Sequence, residues 1–166
     1  MAHIKVERRS MRPEEWTALR FGWLRRGLYA DMEEITDLTV QDAVQTGENT
    51  YRAEGETRPL RKGDMYFSPD GTVFIRGRAR VPARFSGQNI YLVLKTAGEM
   101  MVRVNGCWAG GLDPNREEIL LNPWLKDDAV LLEVEGYNRS KPDDERNPAS
   151  LSVRGCRQIF EGAYLA

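Results

Sequence analysis

Histidine is almost missing from this chain: His3 is the single one among 166 residues. Triads of the Ser-His-Asp or Cys-His kind need an imidazole beside the nucleophile, and a lone histidine near a terminus does not supply it. Cysteine is scarce as well. Cys107 and Cys156 lie far apart, with no second histidine, and make no tetrahedral zinc pattern. Neither GxGxxG nor the phosphate-loop signature occurs. No apolar run approaches the roughly 20 residues that a membrane span needs. The opening "MAHIKVERRS" carries charge without an apolar run behind it, as a secretion signal would require. Reduced thiols in the cytoplasm are therefore the expectation. An excess of either charge is absent too. With 24 basic and 25 acidic residues the net charge is −1, so nothing drives counterion release, and neither nucleic acid nor membrane is an expected partner.

What is present suits one folded domain. A chain of 166 residues buries about two thirds of the surface it exposes when unfolded, and 41% hydrophobic content fills a core. Residues 13–29 predict a helix. Pro13, Glu14 and Glu15 suit its first turn, Trp16, Leu19 and Trp23 form one apolar stripe, and Arg20, Arg25 and Arg26 lie on a solvated face. Residues 41–63 are polar, with weak strand signals around Tyr51. Strand-like runs follow at 72–81, 89–95, 100–104 and 129–136, and Pro82 ends the first of them. The run at 89–95 is apolar on both faces, which suits an interior strand. Between Val104 and Cys107 stands Asn105-Gly106, the preferred two-residue hairpin turn, so 100–104 and 107–109 should pair directly. Short strands joined by Gly, Pro, Asn and Asp turns predict a mainly β chain, a β-sandwich with the N-terminal helix packed on it.

Candidates for chemistry are few. Carboxylates are plentiful, but "KPDDERNP" describes a solvated loop rather than a catalytic pair, and "DPNREE" lacks the ligand spacing of a calcium loop. No catalytic residue and no metal ligand is predicted. The aromatics remain. Trp108 follows the hairpin turn and Trp124 lies in "NPWLKDD"; a flat indole face suits a sugar ring, but for both the expectation is a cap on the end of the core.

From Ser68 to Glu135 the order of elements resembles the N-terminal β-sandwich of α-mannosidases of glycoside hydrolase family thirty-eight. Val81, Pro82, Gly87 and Gln88 match a "VP…GQ" turn, and Thr96, Gly98 and Glu99 match a "tgGE" element. Val104, Asn105 and Gly106 match "vNG", and Gly111, Leu112, Asp113 and Asn115 match a "GiD.N" loop, with Glu118 continuing the pattern. Weaker agreement extends to "IFEGAYLA". The loop departs from the family where Arg116 replaces histidine and Glu117 replaces arginine. A guanidinium stays charged and cannot accept a proton, so any contact of the histidine would have to be remade.

The resemblance implies a jelly-roll, galactose-binding-domain-like sandwich. It divides the chain into a helical segment at 1–45, the sandwich at 46–156 and the start of a linker at 157–166. It further implies a non-catalytic accessory domain whose parent hydrolyses terminal α-mannosides, with the zinc-binding catalytic domain downstream as partner. No cofactor is expected within this chain. Trp108, Asp113, Asn115 and Arg116 are then candidate contacts to sugar or to that domain. Two alternatives stay open: a free-standing carbohydrate-binding module, and an accessory domain of a β-galactosidase or rhamnosidase type of enzyme.

Overall fold

A computed structural model describes residues 17, 20, 28–66, 71–95, 98–113, 116–137 and 159–166. The chain divides into two compact units, Met1–Asp31 and Met32–Ala166. In the first, Thr17 and Arg20 are helical and exposed, as expected for a solvated face. The apolar stripe of Trp16, Leu19 and Trp23, and with it the expected packing of the helix, lies outside the described residues.

The second unit is a sandwich of two antiparallel sheets. Among the described residues its strands are β1 (Glu33–Glu34), β2 (Asp37–Gly47), β3 (Thr50–Pro59), β4 (Thr72–Arg80), β5 (Tyr91–Lys95), β6 (Glu99–Val104), β7 (Cys107–Leu112), β8 (Glu118–Leu120), β9 (Ala129–Tyr137) and β10 (Gly162–Leu165). One sheet has the order β3-β2-β4-β9-β6-β7 and the other β1-β10-β5-β8. The interior forms where alternate residues of the two sheets meet. From the larger sheet come Val73 and Ile75 of β4, Val102 and Val104 of β6, and Val130, Leu132 and Val134 of β9. Leu92, Leu94, Ile119 and Leu165 face them from the smaller sheet. The strand expected to be interior, β5, does lie between β10 and β8, and its Leu92, Val93 and Leu94 are all buried.

The predicted hairpin forms. Val104 pairs with Cys107 and Arg103 with Trp108, while Asn105 and Gly106 take φ of 51° and 79°. Both central residues of such a turn need positive φ, which asparagine and glycine tolerate best. The second strand runs further than 107–109: a bulge between Val102 and Arg103 carries it through Gly110 and Gly111 to buried Leu112, opposite Met100. Asn105 does more than turn the chain. Its side-chain amide donates to the Trp124 carbonyl at 3.0 Å and the Ala129 carbonyl at 3.1 Å, and its Oδ1 accepts from the Leu131 amide at 2.9 Å. A second asparagine acts alike. Asn122 accepts from the Ile90 amide at 2.7 Å and donates to the Gln88 carbonyl at 2.9 Å.

Three expectations are corrected. The polar stretch at 41–63 carries more than weak strand signals around Tyr51, because β2 and β3 form a long hairpin through most of it. Residues 33–45 belong to the sandwich rather than to a helical segment, since β1 and most of β2 lie there. The C-terminal stretch is no linker at Gly162–Leu165. This strand pairs with β5 on one side and β1 on the other. Phe160 just before it is buried edge-on against Tyr66, with ring centroids 5.8 Å apart. The physical reason is that Phe160, Ala163 and Leu165 have no exposed surface worth leaving in water, and β5 offers them a free edge.

Two predictions test this framework. Asn105→Ala removes three side-chain hydrogen bonds and replaces asparagine, which tolerates positive φ, with alanine, which tolerates it less well, so urea melts should show a loss of about 3 kcal/mol. Asn105→Gly keeps the turn and should lose less, whereas equal losses would deny the turn a part. Leu165 has 0% exposure, so Leu165→Ala should destabilise the fold by about 2–5 kcal/mol in the same assay. A linker residue would show no change.

Candidate functional site

The candidate residues do not form one cluster. Trp108 sits at the start of β7 and Asp113 just past its end, so the length of that strand separates them. Five steps along a strand at about 3.3 Å each amount to about 16 Å. Asp113 and Arg116 close a tight turn between β7 and β8. The Arg116 amide donates to the Asp113 carbonyl at 2.9 Å and to its Oδ1 at 3.1 Å, and the Asp113 amide donates to the Arg116 carbonyl at 3.1 Å. The turn carries the chain from the edge of the larger sheet to the edge of the smaller one. Asp113 is half-buried and Arg116 exposed, as expected for a loop at the rim of a sandwich; Asn115 lies outside the described residues. One Asp113 oxygen therefore serves the turn itself.

Trp108 belongs to a different place, the outer face of the larger sheet. There the register of four neighbouring strands aligns Arg76 of β4, Glu133 of β9, Arg103 of β6 and Trp108 of β7 directly opposite one another in a row. A second row beside it holds Phe74, Glu135 and Met101. Tyr51 of β3 reaches onto this row, edge-on to Phe74 with centroids 5.2 Å apart, and its hydroxyl donates to Glu135. These rows line a concavity of about 560 Å³, with Asn49 of the β2–β3 turn at its margin.

The electrostatics of this face follow from the pairing. The Arg103 guanidinium lies 3.9 Å from the centre of the Trp108 ring, and that of Arg76 lies 5.8 Å from the Phe74 ring. Aromatic faces attract such cations and hold them flat, with their N–H edges outward. The hydrogen bond to Glu135, then burial, then the charge of Glu135 raise the Tyr51 pKa above its ordinary value of 10.0. Its hydroxyl therefore stays protonated and donating at neutral pH. Trp124 is partly buried against the core, as a cap should be, and takes no part in this face.

The sequence singles out Trp108, as a cap on the core before a sugar contact, and the structure corrects the first of these by placing it exposed on the outer face. The sequence does not single out Tyr51, Phe74, Arg76, Arg103 or Glu133. Their strands were recognisable in part, but a row across a sheet is set by register, which depends on bulges and turns far from the residues themselves. The signal that was available is alternation: Arg76 and Arg103, Glu133 and Glu135 occupy the outward positions of their strands.

Comparison with protein-family profiles gives no match, and comparison with curated proteins gives none either. Among solved structures the chain is similar to an FMN-binding β-glucuronidase from Facaelibacterium prausnitzii L2-6, at 19% identity and a TM-score of 0.50, over 81% of this chain and 22% of that one. It is also similar to a β-glucuronidase from Ruminococcus gnavus in complex with uronic deoxynojirimycin, at 12% identity and a TM-score of 0.46, over 64% of this chain and 21% of that one. A calcium-binding mutant of Bacteroides uniformis β-glucuronidase 2 aligns at 20% identity and a TM-score of 0.47, over 81% of this chain and 18% of that one. The chain thus spans about a fifth of the length of these structures. At such identities the likeness is one of fold: this mainly β sandwich resembles a part of glycoside hydrolase chains.

Proposed function

We propose that the chain is a non-catalytic accessory sandwich of a glycoside hydrolase, supporting a catalytic domain elsewhere in the same protein. The observation that carries this reading is the alignment of 81% of the chain with 22% of a β-glucuronidase, a nearly whole sandwich matching a fraction of an enzyme. The hydrogen bonds suit a scaffold. Gln88 and Asn105, from the motifs that resemble a mannosidase sandwich, are occupied with peptide groups of neighbouring segments, not turned toward a pocket.

An α-mannosidase parent is the finer reading, supported by the order of the motifs at 81–118. Such a parent would hydrolyse terminal α-mannosides in the cytoplasm. It would hold zinc in its own catalytic domain: among the described residues of this chain, no three His, Cys, Asp or Glu side chains gather closely enough to hold a metal ion. The Asp113–Arg116 turn, at the rim where the two sheets meet, would face that domain. A β-glucuronidase-like parent is the second reading, favoured by the names of the similar structures.

The purified chain should turn over neither aryl α-mannosides nor aryl β-glucuronides, with or without added zinc. Turnover that follows the protein through repurification would refute the non-catalytic reading. Co-expression with the coding sequence that follows it should yield hydrolysis of aryl α-mannosides. Release from β-glucuronides instead would select the second parent, and activity on no glycoside would overturn the accessory-domain reading.

A further inference from the structure

The concave outer face of the six-stranded sheet has a chemistry of its own, independent of which enzyme the chain accompanies. Arg76, Glu133 and Arg103 follow one another across β4, β9 and β6 as a donor, an acceptor and a donor. Adjacent strands lie about 4.8 Å apart, so the row that ends at Trp108 extends about 14 Å. Among the described residues, neither Arg76 nor Arg103 makes an ion pair or a side-chain hydrogen bond; each guanidinium is held only by the aromatic ring beneath it. Glu133 likewise has no side-chain partner among them. Three strong hydrogen-bonding groups therefore stand in a row set by the register of the sheet, with no side-chain hydrogen-bond partner among the described residues.

The charges decide what kind of ligand these groups would take. Arg76 and Arg103 are balanced by Glu133 and Glu135 in the same concavity. A net positive field, which an anionic ligand would need, does not exist here. An acidic ligand laid along the row would bring its carboxylates against Glu133. A hydroxyl both donates and accepts, so neighbouring hydroxyls match a guanidinium set beside a carboxylate. The apolar surface is arranged to suit the same ligand. Met101 and Trp108 are 51% and 47% exposed; with the Arg103 guanidinium over the indole, the thioether and the uncovered rim of the indole are what meet the C–H face of a sugar ring. The volume of about 560 Å³ lies within the range of sites for small organic ligands.

We propose that this face is a binding groove for a neutral oligosaccharide, whose hydroxyls bond to Arg76, Glu133 and Arg103 while one ring rests against Met101 and the exposed rim of Trp108. The Asp113–Arg116 turn is not part of it. The length of the row favours an oligosaccharide over a single sugar, because one ring cannot touch both Arg76 and Trp108.

The test is a titration of the isotope-labelled full chain with three neutral trisaccharides, mannotriose, cellotriose and xylotriose, and with trigalacturonate as the acidic counterpart. At least one neutral trisaccharide should give saturable shifts at the Trp108 indole and at the amides of Arg76, Arg103 and Glu133. Trp108→Ala and Arg76→Ala lie on different strands, and each should weaken that binding about tenfold, the loss of one good contact. Both side chains are exposed, so thermal midpoints should stay at the wild-type value; if one variant unfolds, the other carries the test. Failure of all three neutral sugars to saturate would overturn the proposal. So would shifts centred on Asp113 and Arg116, or tighter binding of trigalacturonate. None of these outcomes bears on the accessory-domain reading, which is tested by activity of the longer protein.

Discussion

The Asn105 carboxamide ties the β6–β7 turn to Trp124 and to the start of β9, just past the last pair of the β6–β9 ladder. Its backbone forms the β6–β7 turn at positive φ, its amide nitrogen holds the carbonyls of Trp124 and Ala129, and its oxygen holds the amide of Leu131. Both of its N–H groups and one lone pair of its oxygen are thereby used. The Asn105 backbone amide adds a bond to the Leu131 carbonyl at 2.9 Å, so β6 and β9 are fixed in register from the turn onward. That register sets which residues of β9 stand opposite Met101 and Arg103. The interior and the outer face of the sheet therefore rest on the same asparagine. A shift by one residue would place Leu132 outside and Glu133 in the core.

How much of this was readable in the sequence depended on how much each strand buries. Strands β4, β6 and β9 alternate buried and exposed positions, and the pattern Val130, Leu132, Val134 identifies itself. Strand β3 buries none of its ten residues fully, and "TYRAEGETRP" carries no alternation to find. It is held by its pairing with β2, a long-range property that composition does not encode. Strand β10 failed for another reason. Four residues are too few to establish a period, and "GAYL" becomes a strand because β5 and β1 flank it.

The candidate site shows the same division. Trp108 was identified because a tryptophan after a tight turn is conspicuous. Its surroundings come from β3, β4, β6 and β9, spread over much of the chain, and only the folded register brings them together. Asp113 and Arg116 stood out through their motif, and their hydrogen bonds show a turn that spans from one sheet to the other. A motif records that residues recur together. It does not distinguish a contact made to a ligand from one that keeps a corner closed.

Strand β3 has a consequence for how the protein behaves when crowded. Among the described residues it is the outer strand of the larger sheet, and such a strand presents peptide groups on which a second chain can stack. Here Arg52, Glu54, Glu56 and Arg58 punctuate it, Gly55 has a φ of 71°, and the pairing with β2 is irregular at two places. A like strand approaching in register would meet broken geometry and a line of hydrated charges. Growth of the sheet from molecule to molecule is thereby discouraged at this border, and the feature that hid β3 from the eye also protects the protein from fibril-like aggregation.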